Sequence, residues 1–322
     1  MREYGFELAL CAHLEDDETL VARQLGGGVA APANRVLDVV AVAPGPEFED
    51  RTRITPERIP APAVESNVGP GRFRYWKDAF DCHPDRARGA VDRAVDLGFF
   101  ERERRGGRDY VRQVARYPDW FGGIRAIENK PDLGAPGDLY TQLRKDVSLA
   151  LVDEVVLATE SHVTRAHLNR IPDEVGVWRF DPDEGVEVIR EPAPLPTDET
   201  GIELIEERPG RTEVRPIDAD EKARYRRRLA ERAYGKGWRP RELPACERAA
   251  ATAVDGGDGL PYCAWKGRVV DPGSECGGDC DGRVAADPPA FDRERERAAR
   301  TPWVADPDGA ARRQAGLDRF TD

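Results

Sequence analysis

Three sets of residues in this 322-residue chain have the types and spacings that chemistry needs. The first is Asp38 with Glu128 and Lys130. Asp38 interrupts RVLDVVAVA, residues 35–43, an apolar β-branched run between Pro32 and Pro44 that reads as a buried strand. Glu128 and Lys130 belong to IRAIENK, residues 124–130, a second expected strand on which alternation turns both side chains to one side. A charged aspartate within an apolar strand is costly unless it is paired or binds a metal. Two carboxylates at strand ends can hold Mg²⁺ or Mn²⁺, hard cations that prefer oxygen ligands. Such an ion polarises a phosphate and lowers the pKa of an attacking water. A lysine beside it can orient that water and offset charge developing on the phosphate. The set suits hydrolysis of a phosphodiester.

The second set is Cys246, Cys263, Cys276 and Cys280, in a segment poor in apolar residues. Four thiolates suit tetrahedral Zn²⁺, and a small glycine-rich segment needs a staple to fold. Cys11, on an apolar stretch, is expected to be simply buried. The third set is Arg102, Arg104, Arg105, Arg108 and Arg112 around Gly106-Gly107, preceded by Arg86, Arg88 and Arg93 and interleaved with aromatic residues. Arginines so grouped suit phosphate contacts, which makes DNA the expected partner. Pairing with Asp92, Asp96, Glu101 and Glu103 is the alternative use for them.

The elements that must position these groups follow from periodicity. Residues 3–25 read as a helix stopped by Gly26-Gly27-Gly28, and 44–70 as a connecting loop. Residues 84–97 read as an amphipathic helix, and 98–104 with 109–115 as a hairpin about the Gly-Gly pair. Helix then hairpin is the outline of a winged helix. Beyond it come a strand at 124–130, a helix at 138–151, a strand at 154–159, a helix at 162–169, and strands at 176–180 and 185–190. The expected fold class is an α/β sandwich with a mixed central sheet. Its core would comprise 1–43 and 122–190, with a winged-helix-like module inserted at 70–118. Residues 191–239 read as a linker and an Arg-rich helix, and 240–322 as a Cys-rich metal-binding region whose final ~35 residues are expected to be poorly ordered.

An acidic residue in the first helix, an aspartate on the next strand, E-x-K on the one after and a polar helix behind it resemble the PD-(D/E)XK nuclease superfamily. The RecB-like and Holliday-junction-resolvase-like members are the nearest in pattern. Glu7 matches the first-helix glutamate (Glu15 less well), Asp38 the motif aspartate, and Glu128 with Lys130 the E-x-K. Gln142, in YTQLRKD, resembles the glutamine that follows E-x-K in RecB-like nucleases. The likeness covers 3–43 and 122–190. Leu37 stands where that superfamily usually has a proline or small residue, and the tyrosine expected after the glutamine is missing.

The resemblance implies a restriction-endonuclease-like fold, with Glu7, Asp38 and Glu128 on Mg²⁺, Lys130 positioning water and Gln142 orienting substrate. The implied activity is metal-dependent cleavage of DNA, of a repair, recombination or defence type. A non-catalytic nucleic-acid-binding or regulatory protein on the same fold is the alternative, and a metal-stapled interaction protein a third. Some RecB-like nucleases carry a cysteine-bound iron–sulfur cluster near the C-terminus, which stands as the alternative to zinc.

Composition bounds these readings. Charged residues make up 34% of the chain, net charge is −12, and six of the 49 basic residues are lysine. An acidic, arginine-over-lysine balance is that expected of a high-salt archaeon. Net negative charge argues against nucleic-acid binding, but as a solubility adaptation it leaves the local arginine pattern more informative. No run reaches the ~18 apolar residues that span a bilayer, and the N-terminus lacks a secretion signal. A cytoplasmic protein with thiols not joined in disulfides is expected. Oligomeric state is left open, a homodimer included.

Overall fold

The computed structural model describes residues 2–15, 19–26, 35–52, 60–69, 71–96, 99–114, 118–208, 211–240, 243–254 and 257–304. The chain forms two compact units. One is Met1–Pro44 with Gly123–Trp303, the other Gly45–Gly122 with Val304–Asp322.

The first unit opens with helix α1 (Glu3–Leu14), buried without a break from Gly5 to Ala12. A helix this apolar on all sides must be covered on all sides. Phe6, Leu8 and Leu10 pack with Val39, Ala41, Ile127 and Val156 of the sheet, and with Trp238 and Leu260 from the C-terminal third. Strands β1 (Leu20–Gly26) and β2 (Val36–Pro44) pair antiparallel, Leu20 opposite Val42 and Gly26 opposite Val36. The single helix expected over 3–25 is therefore a helix and then a strand. Leu20, Val21, Ala22 and Leu25 are all buried, and so short an apolar run fits either period.

The second unit carries α2 (Phe48–Thr52) and α3 (Ala61–Val64), two short helices in the segment read as a loop. Then come β3 (Arg74–Tyr75), α4 (Pro84–Asp96), β4 (Phe100–Arg105) and β5 (Arg108–Gln113). The three strands form one antiparallel sheet in the order β3-β5-β4. Gly106 and Gly107, at φ +54° and +78°, make the two-residue turn between β4 and β5. Glycine suits that turn because both positions need a left-handed backbone. Ala87, Ala90, Val91 and Ala94 line the buried face of α4 and join Trp76, Phe80, Phe100 and Val111 in a core of the unit's own. The helix and hairpin thus lie where the sequence placed them, as one helix on a three-stranded sheet.

The first unit resumes with β6 (Phe121–Asn129), α5 (Leu139–Leu149), β7 (Glu154–Thr159), α6 (Arg165–Leu168), β8 (Gly176–Asp181) and β9 (Gly185–Arg190). The main sheet runs β1-β2-β6-β7-β8-β9. It is mixed: β6/β7 and β7/β8 are parallel, whereas β1/β2 and β8/β9 are antiparallel.

Residues 191–220, expected as a linker, instead carry a hairpin of β10 (Gly201–Arg208) and β11 (Arg211–Ile217). Leu204 and Ile217 pack with Leu149, Leu151 and Tyr225. Arg-rich α7 (Ala219–Lys236) starts at Asp218, whose carboxylate caps the Glu221 N–H at 2.7 Å. It buries a full face, Tyr225, Leu229, Ala230 and Ala233 among it. The Cys-rich region folds as β12 (Ala249–Val254), β13 (Gly257–Cys263) and β14 (Arg268–Val269) in one small sheet, followed by α8 (Pro272–Glu275) and α9 (Arg293–Arg300). Disorder was expected over the final ~35 residues on composition; the described part of that stretch instead carries α9, and residues 305–322 lie outside the described residues.

Candidate functional site

The chain places Asp38 against the E-x-K segment. Strands β2 and β6 are neighbours in the sheet, and the Asn129 backbone N–H, between Glu128 and Lys130, donates to Asp38 Oδ2 at 3.1 Å. Residues 91 apart in sequence thereby share one spot. The Gln24 side-chain amide donates to Asp38 Oδ1 at 3.4 Å and to Glu7 Oε2 at 2.9 Å, which links the first helix to the same cluster. Gln24 sits at φ +52°, a backbone state uncommon outside glycine.

Alternation along β6 divides the carboxylates. Ile127 packs with α1, and the Asn129 side-chain amide donates to Glu7 Oε2 at 3.0 Å. Glu128 therefore faces the other way, toward α5. There the Arg35 guanidinium joins Glu128 Oε2 at 2.7 Å to Asp146 of α5, through Nε at 2.7 Å and Nη2 at 2.5 Å. Glu7, expected beside Asp38 and Glu128 on one metal ion, is instead paired with Arg23 and turned to the α1 side. Glu15, the poorer candidate, is committed to a buried two-pronged pair with Arg239.

Burial outweighs the nearby arginine in the electrostatics of these acids. Burial pushes the Asp38 carboxyl up, to about 6; the Asn129 N–H opposes this and the Glu7 charge adds to it. Burial likewise pushes Glu128 up, to about 7, with the Asp38 charge adding and Arg35 opposing. Asp146 is also raised by burial, against its bonds to Arg35. In kind, two carboxylates suit a hard divalent cation, and the buried Asn129 Oδ1 has no hydrogen-bond partner. In arrangement, no three His, Cys, Asp or Glu side chains among the described residues stand around a single ion. Lys130 and Gln142, expected to serve the site, make no side-chain hydrogen bond or ion pair within the cluster; they are held through their backbone N–H groups, which donate to Ala158 O and Asp138 O.

Arg35 and Asp146 are the members the sequence reading missed. Asp146 had a signal, since it falls on the buried stripe of Leu139, Leu143 and Leu149. Arg35 had none beyond its place at the start of a buried strand.

The four cysteines converge. Cys246, Cys263, Cys276 and Cys280 line one cavity of about 80 Å³, and none is in a disulfide. Each stands at a chain reversal or element end. Cys263 O accepts from Gly267 N at 2.8 Å and closes the turn after β13, while Cys276 follows α8. Backbone hydrogen bonds from Val284 and Arg248 lower the pKa of the Cys246 thiol, whereas burial raises that of Cys276. Their expected zinc geometry is not formed among the described residues. Cys11 is fully buried on α1, as its setting implied.

Of the five hairpin arginines, three are paired: Arg102 with Asp92, Arg105 with Glu103 and Arg112 with Glu101. Exposed pairs of this sort add little stability. Arg104 and Arg108 have no carboxylate partner among the described residues.

Fold and site together define a mixed α/β protein with a half-buried aspartate and a buried glutamate on adjacent strands of its main sheet. Residues 20–285 match the family of unknown function DUF5787, and the chain belongs to that family. No curated protein and no solved structure matches it.

Proposed function

We propose that the chain is a metal-dependent nuclease that hydrolyses phosphodiester bonds in DNA. The observation that carries the reading is the bond between Asp38 and the backbone of the E-x-K segment, which sets a second carboxylate beside Glu128. Asp38 and Glu128 would hold Mg²⁺ or Mn²⁺, with Arg35 released from Glu128 as the ion enters. A bound divalent ion supplies a polarised phosphate and a water of lowered pKa. Lys130, just past the end of β6, orients that water, and Gln142 on the first turn of α5 contacts the substrate strand. The helix-and-hairpin unit acts as a winged-helix-like module whose arginines contact DNA. The cysteine cavity would hold Zn²⁺ as a fold-stabilising ion once its four thiolates close on it, an iron–sulfur cluster being the other occupant of the right ligand chemistry.

Plasmid and branched DNA incubated with Mg²⁺ or Mn²⁺ at high salt tests the activity. Cleavage that disappears in Asp38→Asn and Glu128→Gln is expected. Absence of cleavage on every substrate, with no divalent-ion binding that depends on Asp38, removes the catalytic reading.

One observation favours the second reading, a non-catalytic nucleic-acid-binding protein on a nuclease-like fold. Arg35 and Arg23 already supply positive charge to Glu128 and Glu7 from within the protein. DNA binding without turnover, unchanged in Asp38→Asn, is the outcome that selects it.

A further inference from the structure

The helix-and-hairpin unit contains a cleft of about 400 Å³ walled by Tyr75, Trp76 and the α4 and hairpin side chains. Its lining includes five cations, Lys77, Arg88, Arg102, Arg104 and Arg108, against two acids, Asp92 and Asp109. The local balance is +3 (five minus two), in a chain whose net charge is −12. Arg102 is neutralised by Asp92. Lys77, Arg88, Arg104 and Arg108 have no carboxylate partner among the described residues, although Asp109 stands opposite Arg104 across the strands.

Three of these four cations rest on aromatic rings. Lys77 Nζ lies 5.6 Å and Arg88 Cζ 5.4 Å from the Trp76 ring centre, and Arg108 Cζ lies 5.5 Å from that of Tyr75. Trp76 itself is buried in the unit's core, so it is a fixed platform. Cations resting on ring faces gain electrostatic attraction without losing charge to a carboxylate. Long side chains fixed beforehand also lose less freedom when they grip a ligand. The rings are already covered by cations, so they are poor surfaces for stacking bases. The cleft is built for anionic oxygen, and guanidinium forks match phosphate.

We propose that this cleft grips consecutive backbone phosphates of a nucleic acid, through Lys77, Arg88, Arg104 and Arg108, without reading base sequence. The proposal rests on the reading of the protein as acting on DNA, and it replaces the five hairpin arginines with a different set. Lys77 and Arg88 join, while the paired Arg102, Arg105 and Arg112 leave.

The test uses the full chain carrying Asp38→Asn, so that binding is measured without cleavage. Fluorescence anisotropy with labelled duplex and single strands of two unrelated sequences gives affinity across a range of KCl. Replacing Lys77, Arg88, Arg104 and Arg108 together by alanine is expected to weaken binding at least tenfold on both sequences. The slope of log affinity against log salt should flatten by about 0.9 for each duplex phosphate that the variant no longer grips. Arg105→Ala and Arg112→Ala, at paired arginines outside the cleft lining, should bind nearly as the parent does. Circular dichroism and melting of the fourfold variant separate a weakened grip from an unfolded chain, and single replacements serve if the fourfold variant is unfolded. Unchanged affinity in the folded variants overturns the cleft and leaves the nuclease reading standing. Weakened affinity in a protein whose unsubstituted form never cleaves DNA supports the cleft and removes the nuclease. Pyrophosphate that binds as tightly as the strands do, and displaces them, marks a small-phosphate site and overturns the nucleic-acid assignment.

Discussion

The guanidinium of Arg35 reaches two buried acids at once, Glu128 at 2.7 Å and Asp146 at 2.5 Å. Removing it leaves both without their cation in a poorly solvated place. Arg35→Ala is therefore expected to cost about 3–5 kcal/mol in chemical denaturation, the range for a buried pair broken from one side. Arg35→Lys should recover only part, because a point charge cannot bridge two carboxylates as a planar fork does. The acidic pair makes a pH prediction as well. Asp38 and Glu128 are raised to about 6 and about 7, so the folded chain binds more protons than the unfolded chain at intermediate pH. Stability of the metal-free protein should fall as pH rises from about 4 to about 7, by on the order of a few kcal/mol. Urea midpoints across that window check it; an Asp38→Asn chain with the same slope contradicts the assignment. At this scale the sequence was legible where strand alternation governs. An aspartate inside an apolar strand and E-x-K on another did meet. Glu7 was not legible, because the period of a helix does not say which face of a sheet it will cover, and α1 is apolar all round.

Short elements show where periodicity stops deciding. The β1 run, apolar and buried at Leu20, Val21, Ala22 and Leu25, has no alternation to mark it as a strand; its identity comes from the partner β2, which sequence spacing does not reveal. The hairpin β10–β11 was illegible because its alternation is written in charge. Glu203, buried, accepts a bond from Arg215 across the strands, so acidic and basic residues stand where apolar ones usually signal a core. The helix and hairpin of the second unit were easier, since Gly106-Gly107 fixes the turn locally. The cysteine sheet is the element with most to lose. Among the described residues of β13, β14 and the position after them, only Leu260, Pro261 and Val270 are buried apolar side chains, few to hold short strands unaided. Metal analysis of the purified chain is expected to give about one zinc per molecule. Chelation should expose residues 243–304 to proteolysis while the main sheet stays resistant. A Cys263→Ser chain should behave as the chelated protein does. A brown protein with inorganic sulfide selects the cluster instead, and a metal-free chain equally resistant to protease removes the staple altogether.

Over the whole molecule, 61 acidic residues face 49 basic ones. Like charges on a compact chain repel, and the repulsion is screened once the Debye length falls below their spacing, about 3 Å at 1 M salt against about 10 Å at 0.1 M. The folded state should gain stability as KCl rises from tenth-molar to molar. Nucleic-acid binding through the basic cleft must move the other way, since each phosphate contact releases counterions and weakens with salt. The two dependences oppose each other, so binding is expected to be measurable only over a middle range of salt, where the chain is folded and phosphate attraction survives. Melting temperature and anisotropy measured in the same KCl series decide this. A melting temperature that falls with KCl would show that salt weakens the surface Arg–Glu attractions more than it relieves repulsion among the surplus acids. In that case the −12 destabilises the fold little, and the cleft's local +3 is the field that an approaching polyanion meets at the hairpin, one that weakens as salt rises.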